Sequence, residues 1–91
     1  MLEVSWLPAA FDDLAKIVTY IAEQDPKAAR NLQQRIENAV LPASEHPHLY
    51  RPGRVAGTRE IVAHPNYLVV YRVTDVAIEV ISVLHARQQY P

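Results

Sequence analysis

The chain has 91 residues, is 49% apolar and carries a formal charge of −1 at pH 7, which bounds it to one domain, residues 1–91, with no second core and no disordered class. It contains no cysteine, so disulfides, thiolate metal sites and cysteine nucleophiles are excluded. The charge is uneven: residues 1–45 hold four cations against seven acids, while residues 46–91 hold five arginines against three. Arginine favours planar, bidentate contacts with carboxylate or phosphate, but a surplus of two charges is too small to establish nucleic-acid binding.

Leu2 to Trp6 alternates apolar and polar side chains and reads as a short strand. Met1 to Trp6 lacks the basic flank and apolar run of a secretory signal. No apolar run approaches the ~20 residues of a membrane span. A cytoplasmic protein without membrane contact is therefore expected.

Pro8 suits the first position of a helix, where its missing N–H costs nothing. From there Ala10, Phe11, Leu14, Ile17, Val18, Ile21 and Ala22 recur at helical spacing, with Asp12, Asp13, Lys16 and Glu23 assigned to the solvent side. This helix should stop near Gln24. Asp25-Pro26 is an N-cap followed by proline at the first helical position, so a second helix starts at once. Its stripe is Ala28, Ala29, Leu32, Ile36, Ala39 and Val40. Pro42 should kink or end it, with residues 44–48 finishing it. Two helices so closely joined form an antiparallel hairpin.

Residues 46–57, rich in proline and holding both glycines, read as a loop. Strands over about 57–63, 67–73 and 77–84 then make an antiparallel meander, turning at His64-Pro65-Asn66 and at Thr74-Asp75. The last two are apolar on both faces in places, which requires cover on both sides. The helical hairpin supplies one cover, and a partner is the expected second. The fold class is α+β: an N-terminal strand, an antiparallel two-helix hairpin and a three-stranded antiparallel meander.

Candidate chemistry is sparse. His46, His48, His64 and His85 match no zinc spacing, so neither metal nor cofactor is expected. Ser5, Ser44 and Ser82 lack a nucleophile elbow, and two glycines cannot build a phosphate loop. Arg59, Arg72 and Arg87, with His85 and Tyr90, are the residues that could converge on one end or face of the sheet. Such a cluster is the equipment of a metal-free ribonuclease, in which a base activates the 2′-OH and cations hold the phosphate. Pairing of Arg59 and Arg72 with Glu60, Glu79 or an acidic protein ligand is the structural alternative.

At these residues the sequence resembles the RelE/ParE superfamily, the toxin half of type II toxin–antitoxin modules, and the ParE branch in particular. The resemblance spans almost the whole chain. It rests on the order and spacing of Trp6, Asp13-Leu14, Tyr20-Ile21-Ala22, Pro26-Ala28-Ala29 and His46-Pro47. It continues through Gly57-Thr58-Arg59-Glu60-Ile61-Val62, Tyr67 to Val73, and Val83-Leu84-His85-Ala86-Arg87.

Two functions share this fold. RelE-like members cut mRNA in the ribosome; ParE-like members poison DNA gyrase and hydrolyse nothing themselves. The ribonuclease branch carries arginine after the residue opening the third strand, where this chain has Leu68 after Tyr67. Losing such a donor typically costs ~10²–10³ in rate. The resemblance therefore implies a gyrase poison, with ribosome-dependent mRNA cleavage through Arg59, Arg72, His85, Arg87 and Tyr90 as the alternative. Expected contacts to target or antitoxin are Arg51, Arg54, Arg59, Arg72, His85, Arg87 and Tyr90, including the tail from Arg87 to Pro91. The resemblance also implies a role in plasmid stabilisation and a cognate antitoxin, ParD-like or similar, binding through an amphipathic helix or strand. A higher-order complex is expected, with sequence-specific DNA binding left to the antitoxin.

Overall fold

The computed structural model describes residues 1–90. Strand β1 (Glu3–Trp6) leads into helix α1 (Pro8–Ala22), helix α2 (Pro26–Glu45) and the two-residue strand β2 (Arg51–Pro52). Strands β3 (Arg59–His64), β4 (Tyr67–Val73) and β5 (Ala77–His85) follow. The sheet order is β1-β5-β4-β3-β2. β1 lies parallel to β5, and the other neighbours are antiparallel. The expected α+β arrangement is the observed one, with the first strand completing the sheet beside the last.

One face of the sheet carries the hairpin. Ile61 and Ala63 of β3, Val69 and Tyr71 of β4, and Ile78, Val80 and Val83 of β5 meet Ala10 and Leu14 of α1 and Leu32, Ile36, Val40 and Ala43 of α2. The helical period produces this directly, because residues three and four apart share a face. Pro8 occupies the first turn of α1, and the Asp25 carboxylate caps α2 by accepting the Ala28 N–H at 3.1 Å.

Three expectations need correction. Phe11 is 64% exposed rather than packed in the stripe; it sits at the rim of a groove between α1 and α2 with Trp6, Ala15 and Val18. Asp13 is half-buried, not on the solvent face, because it lies one helical step from Ala10 and Ile17 and reaches β5. Pro42 lies inside α2, which finishes at Glu45, within the expected 44–48 range. Its missing N–H falls at an exposed site in the final turn, and its carbonyl still accepts the His46 N–H at 3.0 Å. The 46–57 loop contains β2, whose pairing Arg51↔Glu60 and Pro52↔Arg59 lies at the sheet edge, where proline is tolerated.

The second face of the sheet is covered by the chain itself, at least in part. Glu60, Leu68 and Val70 alternate with the core-facing residues and so point away from the helices, yet Leu68 and Val70 are 4% and 2% exposed. The 53–58 loop and the tail through Tyr90 lie on this side, with Val55, Thr58 and Tyr90 lining a cavity over Val70. The tail is thus no free end at Tyr90; Pro91 lies outside the described residues.

Candidate functional site

The arginines do not converge; they fall into four neighbourhoods. Three of the expected residues surround Glu60, which is 5% exposed. The Arg51 guanidinium pairs with its carboxylate at 3.2 Å, the Arg54 backbone N–H donates to it at 3.3 Å, and the Tyr90 hydroxyl donates to it as well. The Arg54 guanidinium lies over the Tyr90 ring, 4.8 Å from its centroid. Burial pushes the Glu60 carboxyl up, but the Tyr90 bond, the Arg54 N–H and the Arg51 and Arg54 charges outweigh it and hold it below its ordinary value. Burial, then the Glu60 bond and charge, raise the Tyr90 hydroxyl, so it stays a donor.

The hairpin between β2 and β3 sets this geometry. Gly53 N–H donates to Thr58 O at 2.8 Å, and the Thr58 hydroxyl donates to Val55 O at 2.6 Å. Gly57 takes φ +83°, the left-handed region open to glycine at little cost. Arg54 rides on this hairpin.

Arg72 forms the second neighbourhood, on the same outer face. It pairs with Glu79 on the adjacent strand at 2.6 Å, an exposed cross-strand ion pair. Arg59 forms the third: thirteen residues earlier but in register with Tyr71, it points to the opposite face and toward the helices. Its guanidinium donates to the carbonyls of Tyr50 at 2.7 Å and His48 at 3.3 Å, pinning the 46–50 loop. The Tyr71 hydroxyl, raised by burial, holds the same loop through Pro47 O.

His85 and Arg87 are the fourth, at the other end of β5. His85 is in register with Tyr67, whereas Arg72 is in register with Glu79. Six residues of strand separate the two positions, roughly 20 Å at strand rise. The His85 Nδ1 accepts the Arg87 N–H at 3.1 Å, and its ring meets Tyr67 edge-on at 5.5 Å. On the far side of Tyr67, His64 packs at 5.7 Å. Glu60 and Glu79 were expected as partners of Arg59 and Arg72; Arg72 does pair with Glu79, Glu60 pairs instead with Arg51, and Asp13 was given no partner at all. Glu60 was legible only as an acid beside Arg59, because its true partners are six, nine and thirty positions away.

With this geometry in hand, similarity to known proteins becomes interpretable. Residues 4–90 match the model of the ParE toxin of the type II toxin–antitoxin system parDE. The chain belongs to the ParE toxin family. Among its relatives, the toxin-named protein Y4kP of Sinorhizobium fredii is 39% identical over 97% of this chain and 92% of its own length. Toxin RelE2 of Caulobacter vibrioides is 33% identical over 94% of this chain and 97% of its own. The fold superposes on a chain of the chromosomal ParDE system from P. aeruginosa with TM-score 0.83 at 22% identity, covering 93% of this chain and 96% of that one. A chain of the E. coli DinJ–YafQ toxin–antitoxin complex gives TM-score 0.61 at 13% identity, covering 92% and 91%.

For a ParE-family chain the four-way division of cations matters. A ribonuclease centre needs its base and its phosphate holders within hydrogen-bond reach of one reacting group. Here Arg59 and Arg72 lie on opposite faces, and His85 lies several strand positions from both, out of hydrogen-bond reach. Leu68, the residue after Tyr67 at the start of β4, is buried. Among the described residues, no group of three or more His, Asp or Glu side chains could hold a metal.

Proposed function

We propose that this ParE-family toxin arrests growth in the cytoplasm by binding DNA gyrase and holding the enzyme in one of its states. Holding a state requires only differential affinity, with no reaction by the toxin itself. The observation that carries this reading is the scatter of Arg59, Arg72 and His85 over two faces and two ends of the sheet, with Leu68 where a phosphate-holding arginine would stand. Such a surface is suited to docking and poorly suited to cleaving a phosphodiester. Exposed Arg51, Arg54, Arg72 and Arg87 are the arginines available for that contact.

The same toxin is neutralised, in this reading, by a ParD-like antitoxin that lays an amphipathic helix or strand on its apolar surface. The solved ParDE and DinJ–YafQ systems support such a partner. So does the open groove at Trp6, Phe11, Leu14, Ala15 and Val18, which offers apolar side chains to solvent. Acidic residues on the antitoxin would mask the arginines, its dimerisation would build the higher-order complex, and operator binding would belong to it.

A supercoiling assay with purified protein tests the target. Inhibited turnover with accumulated cleaved DNA is expected. Normal gyrase turnover at excess toxin, together with codon-positioned cuts on translated mRNA, would replace this reading with ribosome-dependent cleavage.

A further inference from the structure

The arginines of the C-terminal half differ in how their charge is used. Arg51 pairs with Glu60 and Arg72 with Glu79. Arg59 is turned onto the Tyr50 and His48 carbonyls. Arg87 engages His85 through its backbone N–H, and its side chain has no hydrogen bond or ion pair among the described residues. Arg54 combines two properties that the others have singly: it is held, and it has no acid of its own. Its guanidinium lies 4.8 Å over the Tyr90 ring and donates to the Gln88 carbonyl at 3.5 Å. Glu60, the acid of that cluster, is already served by the Arg51 guanidinium, the Tyr90 hydroxyl and the Arg54 backbone N–H. A guanidinium carries five N–H donors in a planar fork, so most of them remain for a ligand on an exposed side chain. Next to this cation stands apolar surface. Val55 is 41% exposed, and with half-buried Ile81 it lines an open cavity of about 430 Å³ on the outer face of the sheet, where Tyr90 forms part of the wall.

We propose that Arg54 is a preorganised carboxylate receptor, that Tyr90 is its positioning residue, and that its ligand is an acidic peptide segment with an aliphatic side chain beside the carboxylate. The carboxylate accepts two parallel N–H bonds from the fork, and the aliphatic side chain enters the cavity against Val55 and Ile81. A ring and a carbonyl already hold the guanidinium, so ordering it on binding costs less than ordering a loose side chain such as Arg87. Glu60 acts one step further back: it holds the Tyr90 hydroxyl and thereby the ring. Nucleic-acid phosphate is the poorer match, because its recognition draws on several cations along a basic stripe. Here the neighbouring Arg51 and Arg72 are each paired with an acid. The inference rests on the antitoxin reading above only for the source of the peptide.

The test is an NMR titration of the full chain with a blocked peptide of alternating glutamate and leucine, and with hexathymidylate as the phosphate probe. The peptide should shift the amides of Arg54, Val55 and Ile81 and leave those of His64 and Arg87 unmoved. Arg54→Lys keeps the charge but loses the fork, and should weaken binding about tenfold. Tyr90→Leu should weaken it to a similar extent, while Tyr90→Phe, which keeps the ring, should restore most of the affinity. Wild-type affinity in Arg54→Lys or in Tyr90→Leu would overturn the receptor. Tyr90→Phe as weak as Tyr90→Leu would remove the ring's positioning role, and tighter binding of hexathymidylate would overturn the peptide assignment. The titration contains no antitoxin, so its failure leaves the neutralisation reading standing. That reading fails on its own if no adjacently encoded protein relieves growth arrest.

Discussion

The Asp13 carboxylate on α1 accepts the backbone N–H of Val83 on β5 at 3.0 Å, across seventy positions of sequence. β1 pairs with β5 only as far as Val80, so the remainder of that edge needs another acceptor. A helical side chain supplies it, and α1 is thereby fixed against the end of β5 that carries His85. Asp13→Ala should leave a half-buried donor unpaired and cost about 1–3 kcal/mol. Urea denaturation measures it, and an unchanged midpoint would show that water replaces the carboxylate at no cost.

Acid should loosen the β2–β3 hairpin through Glu60. Its folded carboxyl lies below its ordinary value of 4.5, so the native state binds its proton less readily than the unfolded chain. The stability this contributes is fully present above pH 4.5 and is lost as pH falls through the lower folded value. Glu60→Gln should flatten that part of the stability-versus-pH curve, read by thermal melts from pH 6 to 3.

The hairpin that carries Arg54 should be intolerant of added methyl groups. A Cβ at Gly53 would collide with the Thr58 hydroxyl, which is itself bonded to Val55 O. Gly57 has open space but φ +83°, so Gly57→Ala should cost roughly 1–2 kcal/mol from backbone strain alone. Gly53→Ala should also weaken the Arg51–Glu60 pairing, visible as shifted amide resonances at Arg54 and Glu60. Identical spectra for Gly53→Ala and wild type would refute the close approach.

Arg72→Ala should barely alter stability. Its pair with Glu79 is exposed, with the Arg72 side chain 53% accessible, and such pairs are typically worth ~0–1 kcal/mol. Any large loss of growth inhibition in this variant would then report a lost contact with the target and not a lost fold. A melting shift beyond a few degrees would show that the pair is structural after all.

Much of the fold was legible because its signals are local. Proline at the first turn of each helix, the Asp25 cap, the helical recurrence from Ala10 to Ile21 and the turns at Pro65 and Thr74 act within four residues of themselves. Phe11 and Asp13 were misplaced for one reason: periodicity gives the direction of a side chain but not where the packed neighbour ends. β2 was missed because two residues, one of them proline, carry no strand pattern until β3 lies beside them.

The order of residues by itself determined the helices, the meander and the family, since these follow from period, caps and turn chemistry repeated along one chain. Tertiary structure alone decided how the arginines are distributed. Strand alternation sends Arg59 and Arg72 to opposite faces, antiparallel register carries His85 to the far end, and a thirty-residue separation closes between Glu60 and Tyr90. Those relations depend on which backbone atoms pair across strands, and no short stretch of sequence encodes that pairing.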